Sequence, residues 1–347
     1  MRSRTSTATI SSISADRSDG AMTSPSSESR RRTAVRRSAS VRLGAHARAW
    51  SRLDNTAIIF PPIVSRRFTT TFRISALLDT AINVDALNRA LAWAWKRMPY
   101  LCRRLRQGVF WYFLEDARPG VVEPAGPDVC GMPPGRRGDT PLVRVFARGR
   151  TIAVEASHAI TDGIGLLTFM RSLLVAYHLE ARGIGAEDGD AIPLWADAGR
   201  RGILTPGDRD PREEEFAGRR EYLRHLPDPD GSTGAWHLPG GLLPPGRYRV
   251  TSLRYSVAAV RSRAAALGVS LTDLVIACVF LALQREYHRG AEPPRRRRRP
   301  IRIMVPVNVR PLFDSPTMRN FFVTVLVEID QRVGRYRIEE AAYIVHH

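Results

Sequence analysis

Hydrophobic and polar positions along the chain indicate a strand, a tight turn and a helix between residues 151 and 177. Residues 151–156 are apolar and partly β-branched, which is typical of a buried strand. Thr161-Asp162-Gly163 has the composition of a turn and a helix cap. The side chains that then recur at helical spacing are Ile164, Leu167, Met170, Leu174 and Tyr177. His158 therefore lies where the strand has ended and the helix has not begun.

Further elements are predicted on the N-terminal side of this junction. Residues 68–74 alternate as a half-buried strand does, and residues 84–98 have helical spacing that ends before Pro99. Residues 108–115 are interpreted as an aromatic strand whose side chains cover the sheet rather than stack on a ligand. Residues 142–146 and 151–156 are predicted to form a hairpin, because a Gly-containing turn separates them.

The C-terminal third again shows both patterns. Helices are predicted at 257–267, before Gly268, and at 271–287, after a capping box from Ser270 to Asp273. Residues 338–347 have the pattern of the first turns of another helix. Strands are predicted at 248–255, 301–307 and 320–329.

Together these patterns predict an α/β protein with two lobes and a tail. Residues 1–47 are rich in Ser, Thr and Arg, which predicts disorder; they resemble a transit peptide only in composition, and Met22 is another candidate start. Residues 48–182 are assigned to the first lobe and 183–246 to a connection with surface loops. Residues 247–347 form the second lobe.

The net charge of +19 does not by itself predict a partner. Residues 1–48 hold ten arginines against three acidic residues, and the arginine run at 295–299 is interpreted as a solvated loop. Only Lys96 among the 53 basic residues is a lysine, whereas phosphate-binding surfaces more often use both. We expect no specific nucleic-acid binding, since no recognised binding motif accompanies the charge.

Composition also argues against disulfide, membrane and metal classes. The three cysteines are far apart and form no CxxC, so a reduced, cytoplasmic setting is expected. No apolar run approaches the length of a membrane span. His158 and Asp162 could bind a metal from one helix face, but Gly163 and Gly165 disfavour a helix there and no third ligand is evident.

The order strand, His158, three residues, Asp162-Gly163 and amphipathic helix resembles the active-site segment of the CoA-dependent acyltransferase superfamily. This superfamily includes chloramphenicol acetyltransferase, alcohol acetyltransferases and the condensation domains of peptide synthetases. Further segments resemble bacterial alcohol-acetyltransferase-like proteins in the same order, namely Leu53-Asp-Asn-Thr-Ala, Thr70-Thr-Phe-Arg-Ile, Phe110-Trp-Tyr-Phe-Leu-Glu, Val305-Pro-Val-Asn-Val-Arg-Pro and Arg319-Asn-Phe-Phe.

The resemblance implies two related αβ-sandwich lobes, with His158 between them as general base. A base with a pKa near about 6.5 suits proton transfer in both directions at neutral pH. Asp162 is expected to pair with an arginine of the second lobe, for which Arg310 is the candidate; the alternative is that Arg310 is an ordinary surface arginine. Gly163 is expected to allow the sharp turn into the helix. The expected partners are an acyl-CoA cosubstrate and a hydroxyl or amine acceptor, with no permanent cofactor, no metal and a monomeric chain.

Two departures from the family pattern affect the hypothesis. Ser157 occupies the position where condensation domains usually carry a second histidine, which favours a free acyl-CoA over a carrier-protein donor. The chain also ends inside a predicted helix, so the resemblance implies a truncated second lobe that unfolds easily. The leading hypothesis is an acyl-CoA-dependent O-acyltransferase. Carrier-protein-dependent ester or amide formation and an inactive remnant are the alternatives.

Overall fold

The computed structural model describes residues 50–126, 129–133, 138–186, 234–241, 243–244, 251, 253–289, 294, 298–313 and 317–347. The predicted tail at 1–47 and most of the predicted connection at 183–246 lie outside the described residues, as do Arg295 to Arg297. We refer to residues 50–186 as the N-terminal segment and to residues 234–347 as the C-terminal segment. The division of the chain into lobes stays a prediction.

The N-terminal segment contains seven strands and three α-helices among its described residues. The strands are β1 (Trp50–Arg52), β2 (Thr71–Leu77), β3 (Arg103–Gln107), β4 (Tyr112–Asp116), β5 (Glu123–Pro124), β6 (Val143–Arg148) and β7 (Thr151–Ser157). The helices are α1 (Phe60–Ile63), α2 (Val84–Arg97) and α3 (Gly163–Ala181), with short 3-10 turns at Ala57–Ile59 and Pro99–Leu101.

The C-terminal segment contains two long strands and four helices among its described residues. The strands are β8 (Ile301–Asn308) and β9 (Phe322–Ile329). The helices are α4 (Val257–Ala266), α5 (Leu271–Tyr287), α6 (Arg310–Phe313) and α7 (Ile338–His346). The chain is thus a mixed α/β protein, which confirms the predicted class.

A four-stranded sheet in the order β2-β7-β6-β5 carries the predicted junction at its centre. β2 pairs antiparallel with β7, from Thr71 opposite Ser157 to Leu77 opposite Thr151. β6 and β7 form the predicted hairpin. Gly149 has φ +58°, as the first central position of a type II′ turn requires, and this explains the two-residue loop. β7 is buried along almost its whole length, in agreement with its apolar sequence.

The predicted strand at 68–74 begins three residues too early. Thr70 has φ +54°, a conformation that is unusual for a β-branched residue and that interrupts extended structure before Thr71. The apolar alternation continues instead through β2, where Phe72, Ile74 and Ala76 contact the main core. Phe68 is exposed.

The predicted aromatic strand at 108–115 is wrong in its first half. Residues 108–111 form the turn of a hairpin between β3 and β4, and Trp111 is exposed at this tip rather than packed on the sheet. β3 was not predicted, because it is dominated by arginines. Its charges are balanced across the hairpin, where Arg104 is opposite Glu115 and ion-pairs with it.

The main hydrophobic core lies between the four-stranded sheet and helices α2 and α3. Of the described residues, α3 alone has the length and apolar composition of a membrane span; the sharply bent pair α4–α5 qualifies only if it is counted as one span. Half of α3 is buried inside the protein, with Leu166, Phe169 and Leu173 inaccessible to solvent. Its apolar composition is therefore explained by its place in the core.

The C-terminal segment forms an antiparallel β8–β9 ribbon with α5 and α7 packed near it. The predicted bounds of α5 and the capping box at its start are confirmed, with Ser270 Oγ accepting from Asp273 N and Asp273 accepting from Ser270 N. Gly268, which follows the C-cap residue Leu267 of α4, has φ +68°, as predicted for a helix end. The strand predicted at 248–255 is absent from its described positions, residue 251 and residues 253–255.

Candidate functional site

His158 directly follows β7, and neighbouring loops and strands hold both its backbone and its ring. Its N–H donates to the carbonyl of Thr70 at 2.9 Å, which continues the pairing of β2 and β7 by one residue. The imidazole is stacked on Phe72, with ring centroids 4.3 Å apart, and on Phe60, at 4.8 Å. The strand end therefore presents a histidine whose ring plane is fixed by two aromatic side chains.

The surroundings of His158 favour the neutral imidazole. Burial lowers its pKa below the ordinary value of 6.5, and this effect exceeds the opposing effects of the hydrogen bond to Asn320, the charge of Asp162 and a hydrogen bond with the Thr161 backbone. A neutral ring has one nitrogen with a free lone pair and can accept a proton. The histidine is thus suited to act as a base at neutral pH.

Asp162 is the last residue of the same turn and the N-cap residue of helix α3. Its Oδ1 accepts hydrogen bonds from Ile164 N at 3.1 Å and Gly165 N at 2.9 Å. Phe321 N, in the C-terminal segment, donates to Oδ2 at 2.9 Å. The carboxylate therefore satisfies the helix terminus and also binds a distant part of the chain.

Arg310 forms a bidentate ion pair with Asp162. The two guanidinium–carboxylate distances are 2.9 and 3.0 Å, and both side chains are almost fully buried. The same guanidinium donates to the carbonyls of Thr317 at 2.8 Å and Arg319 at 2.6 Å. The structure thus brings Asp162 and Arg310 together, and Arg310 is not a surface side chain.

We call residues 317–321 the docking segment, since it contacts the N-terminal segment at several points. Met318 belongs to the main hydrophobic core, its sulphur accepts a hydrogen bond from Tyr100, and its carbonyl accepts from Thr161 Oγ1 at 2.6 Å. Because a buried ion pair stabilises only when its other hydrogen-bonding groups are satisfied, these carbonyl and amide partners are part of what keeps Arg310 and Asp162 in place.

Two glycines near the start of α3 have different surroundings. Gly163 does not have positive φ, and a Cβ added there would meet nothing within 4 Å. A Cβ on Gly165 would lie 2.1 Å from the Met318 carbonyl oxygen and 2.3 Å from Thr161 Oγ1. The structure therefore gives Gly163 no conformational need for glycine, and the close approach that requires one occurs at Gly165, which the sequence reasoning passed over.

Two buried polar residues in the site were also missed as site residues. Asn320 Nδ2 donates to the His158 carbonyl at 2.9 Å, and its Oδ1 lies 3.4 Å from His158 Nδ1. Asp54 Oδ2 accepts from Asn320 Nδ2 at 3.0 Å. Both lie in segments that carry the family resemblance, Leu53-Asp-Asn-Thr and Arg319-Asn-Phe-Phe. The signal was present in the sequence, but nothing in it placed these side chains beside the histidine.

Ser157, at the position of the second histidine of condensation domains, is buried and accepts from Ala159 N at 3.2 Å. Its hydroxyl therefore supports the turn that carries His158. Within the part of the chain that the structure describes, no group of three His, Cys, Asp or Glu side chains could hold a metal ion.

Comparison with known proteins gives likenesses in structure only. No protein-family model and no curated protein matches this chain. Polyketide synthase associated protein 5 from Mycobacterium tuberculosis is 18% identical, with a TM-score of 0.50 over 82% of this chain and 70% of that chain. The first condensation domain of the calcium-dependent antibiotic synthetase, in complex with a substrate analogue, is 15% identical, with a TM-score of 0.50 over 86% and 72% of the two chains. TRI101 of F. graminearum, complexed with ethyl coenzyme A, has 13% identity and a TM-score of 0.49 over 86% and 74%.

The first two likenesses show that the chain has the fold of a condensation domain and of a polyketide synthase associated protein. This confirms the predicted resemblance for the fold. At 18% and 15% identity the likeness concerns the fold alone, and any chemistry has to come from the site itself.

Proposed function

We propose that the protein transfers an acyl group from a CoA thioester to an alcohol or related acceptor, with His158 as general base. The observation that carries the proposal is the environment of His158. Its ring is stacked between two aromatic side chains at the end of a buried strand, and burial lowers its pKa so that it is neutral near pH 7.

The reaction follows from proton transfer at this imidazole. The lone pair of the ring takes the proton of the acceptor hydroxyl as the acceptor oxygen attacks the thioester carbonyl carbon. A C–O bond forms and gives a tetrahedral intermediate. The C–S bond then breaks, and the imidazolium returns its proton to the leaving thiolate, so that the histidine ends as it began. Asp162 and Arg310 take no part in these transfers; they fix the turn that carries His158.

A carrier-protein thioester is the second candidate donor. The likeness to the first condensation domain of the calcium-dependent antibiotic synthetase favours it, at a TM-score of 0.50. The buried Ser157 in place of a second histidine favours free acyl-CoA. Both donors end in the same pantetheine thioester, so the chemistry at His158 is shared and only recognition of the rest of the donor differs.

Release of free thiol from acetyl-CoA, followed with a panel of alcohols and amines, tests the proposal. We compare the wild-type chain with His158→Ala, and use His178→Ala, which removes an exposed histidine of α3, as the matched control. We expect acceptor-dependent thiol release by the wild type, and a loss of about 100-fold or more in His158→Ala. An acyl-loaded carrier protein in place of acetyl-CoA distinguishes the two donors.

Equal turnover in the wild type and His158→Ala would contradict the general-base role. No thiol release from either donor by a folded wild-type protein, with folding shown by a cooperative melt, would contradict the proposed activity and favour the remnant alternative.

A further inference from the structure

The side chain of Asn320 can adopt only one amide orientation. Its Nδ2 donates to the His158 carbonyl at 2.9 Å and to Asp54 Oδ2 at 3.0 Å. Carbonyl and carboxylate oxygens only accept hydrogen bonds, so the NH₂ group must face them. The remaining atom, Oδ1, therefore faces His158 Nδ1 at 3.4 Å, which is longer than the roughly 2.7–3.2 Å of most N–H···O hydrogen bonds.

Asp54 is itself held so that it cannot act as a donor towards Asn320. Its Oδ1 accepts from Thr56 N at 3.0 Å and Ala57 N at 2.6 Å, and its Oδ2 accepts from both nitrogens of Asn320. Burial raises the pKa of this carboxyl, while the hydrogen bonds from Asn320 and Ala57 oppose that rise. Since each oxygen already faces two N–H groups, a proton on either oxygen would point at a donor, and the geometry is that of a carboxylate.

We infer that Asp54 and Asn320 form a relay that selects the tautomer of His158. An amide oxygen can only accept, so Nδ1 carries the proton and donates to Asn320 Oδ1. The lone pair of the neutral ring is then on Nε2, the nitrogen that faces away from the relay. Asp54 and Asn320 are positioning residues, since they act through the imidazole and not on the reacting atoms. The catalytic role of this preferred tautomer rests on the proposed function, whereas the preference itself rests only on the hydrogen-bond contacts.

The relay also makes the preferred tautomer of His158 dependent on both segments of the chain. Asp54 follows β1 in the N-terminal segment, whereas Asn320 lies in the docking segment, and both side chains are almost inaccessible to solvent. Neither segment alone would set the proton on Nδ1 by these contacts. A chain in which the docking segment is displaced would keep His158 and lose its preferred tautomer.

Asp54→Asn tests the relay, since it reverses the donor pattern with a change of one atom. The new amide oxygen stays where Thr56 N and Ala57 N donate, so the new NH₂ group faces Asn320. Two NH₂ groups cannot bond to each other, so position 54 now favours a turned Asn320 amide, whereas the His158 carbonyl still favours the original orientation. In the turned orientation the NH₂ group faces His158 Nδ1, which then has to accept, so part of the population carries the proton on Nε2.

The tautomer is read directly from the imidazole nitrogens in ¹⁵N-histidine-labelled protein, where protonated and unprotonated nitrogens have well separated chemical shifts. The chain has eight histidines, and His158 is assigned by the signals lost in His158→Gln. We expect a proton on Nδ1 in the wild type and a mixture of the two tautomers in Asp54→Asn. A wild-type proton on Nε2, or an Asp54→Asn variant with the same tautomer populations as the wild type, would overturn the inference.

Two further variants keep the test informative. Asn320→Leu removes the acceptor without reversing it, and we expect both tautomers to be populated; this serves if Asp54→Asn does not fold. Thr161→Val removes a buried hydrogen bond between the same two segments, from Thr161 Oγ1 to the Met318 carbonyl, without touching a hydrogen bond of the relay. A tautomer shift in Thr161→Val as large as in Asp54→Asn would show that loosening of the junction is the cause, and would overturn the relay.

Turnover separates the relay from the proposed function. If the proposed function holds, Asp54→Asn lowers kcat in proportion to the lost population of the Nδ1-protonated tautomer, with a smaller effect on KM. If the tautomers behave as expected and the wild type releases no thiol, the proposed function fails and the relay stands.

Discussion

The N-terminal and C-terminal segments contribute to one site but are built differently. The N-terminal segment has a four-stranded sheet covered by α2 and α3, with one continuous hydrophobic core. The C-terminal segment has a two-stranded ribbon and three small apolar clusters among its described residues. His158 follows β7 of the larger sheet, whereas Arg310, the first residue of α6, and Asn320 lie in the connection between β8 and β9.

This difference shows that the C-terminal site residues depend on docking. Met318, two residues before Asn320, is buried in the N-terminal core and not in a C-terminal cluster. Several apolar side chains of the ribbon itself are exposed, including Met304 and Leu326. The N-terminal core is therefore the main support of the docking segment. Variants at the polar contacts of this segment test how strongly the two segments are held together.

Breaking the Asp162–Arg310 pair should have the largest effect on stability. Asp162→Ala leaves the Arg310 guanidinium buried without its counter-charge, and removal of one partner of a buried pair costs about 3–5 kcal/mol. The free energy of unfolding from urea titration measures the loss. The control is Glu339→Gln, which removes an exposed pair with Arg263 within the C-terminal segment and should cost about 1 kcal/mol or less. A similar small loss in both variants would show that docking does not depend on the buried pair.

Gly165→Ala should have an intermediate effect, because the added methyl group meets both the docking segment and the Thr161 hydroxyl. The added Cβ would lie 2.1 Å from the Met318 carbonyl oxygen, so the docking segment must shift; overpacking of this kind costs about 1–3 kcal/mol. We expect lower urea stability and lower turnover, because Asn320 moves with Met318.

Gly163→Ala is the matched control for this change. It adds the same methyl group to the same helix, at an exposed position with nothing within 4 Å. Stability should stay the same or rise by up to about 1 kcal/mol, since alanine has the higher helix propensity. Equal losses in the two alanine variants would contradict the close contact at Gly165.

The smallest effect should be a pH dependence of stability that comes from His158. Its pKa is lower in the folded chain than the ordinary 6.5, so between these two values the unfolded chain binds more protons. The contribution is present in full above about pH 6.5 and is lost as the pH falls towards the folded pKa, by about 1.4 kcal/mol for each unit of difference. Urea titrations of the wild type and His158→Gln between pH 7.5 and about pH 5 should diverge on acidification, with the wild type losing more. Parallel curves would contradict the burial of the imidazole by both segments.

Hydrophobic spacing, capping residues and turn residues predicted much of the fold correctly where an element has one buried side. The helix bounds at 271–287, its capping box and the hairpin around Gly149 all follow from short-range chemistry. The arginine-rich β3 was missed because its stability comes from cross-strand acidic partners, and the start of β2 was misplaced because nothing in a single sequence reveals the φ of Thr70.

The sequence by itself determined the strand, turn and helix around His158 and the cap at Asp162, since these depend on residues a few positions apart. The family resemblance suggested Arg310 as a partner of Asp162. Only the tertiary structure decided that Asp54, Asn320 and Gly165 belong to the same site. Their contacts join residues that are more than 150 positions apart, and the hydrogen-bond direction at His158 depends on which buried oxygen and nitrogen atoms meet once the docking segment is in place.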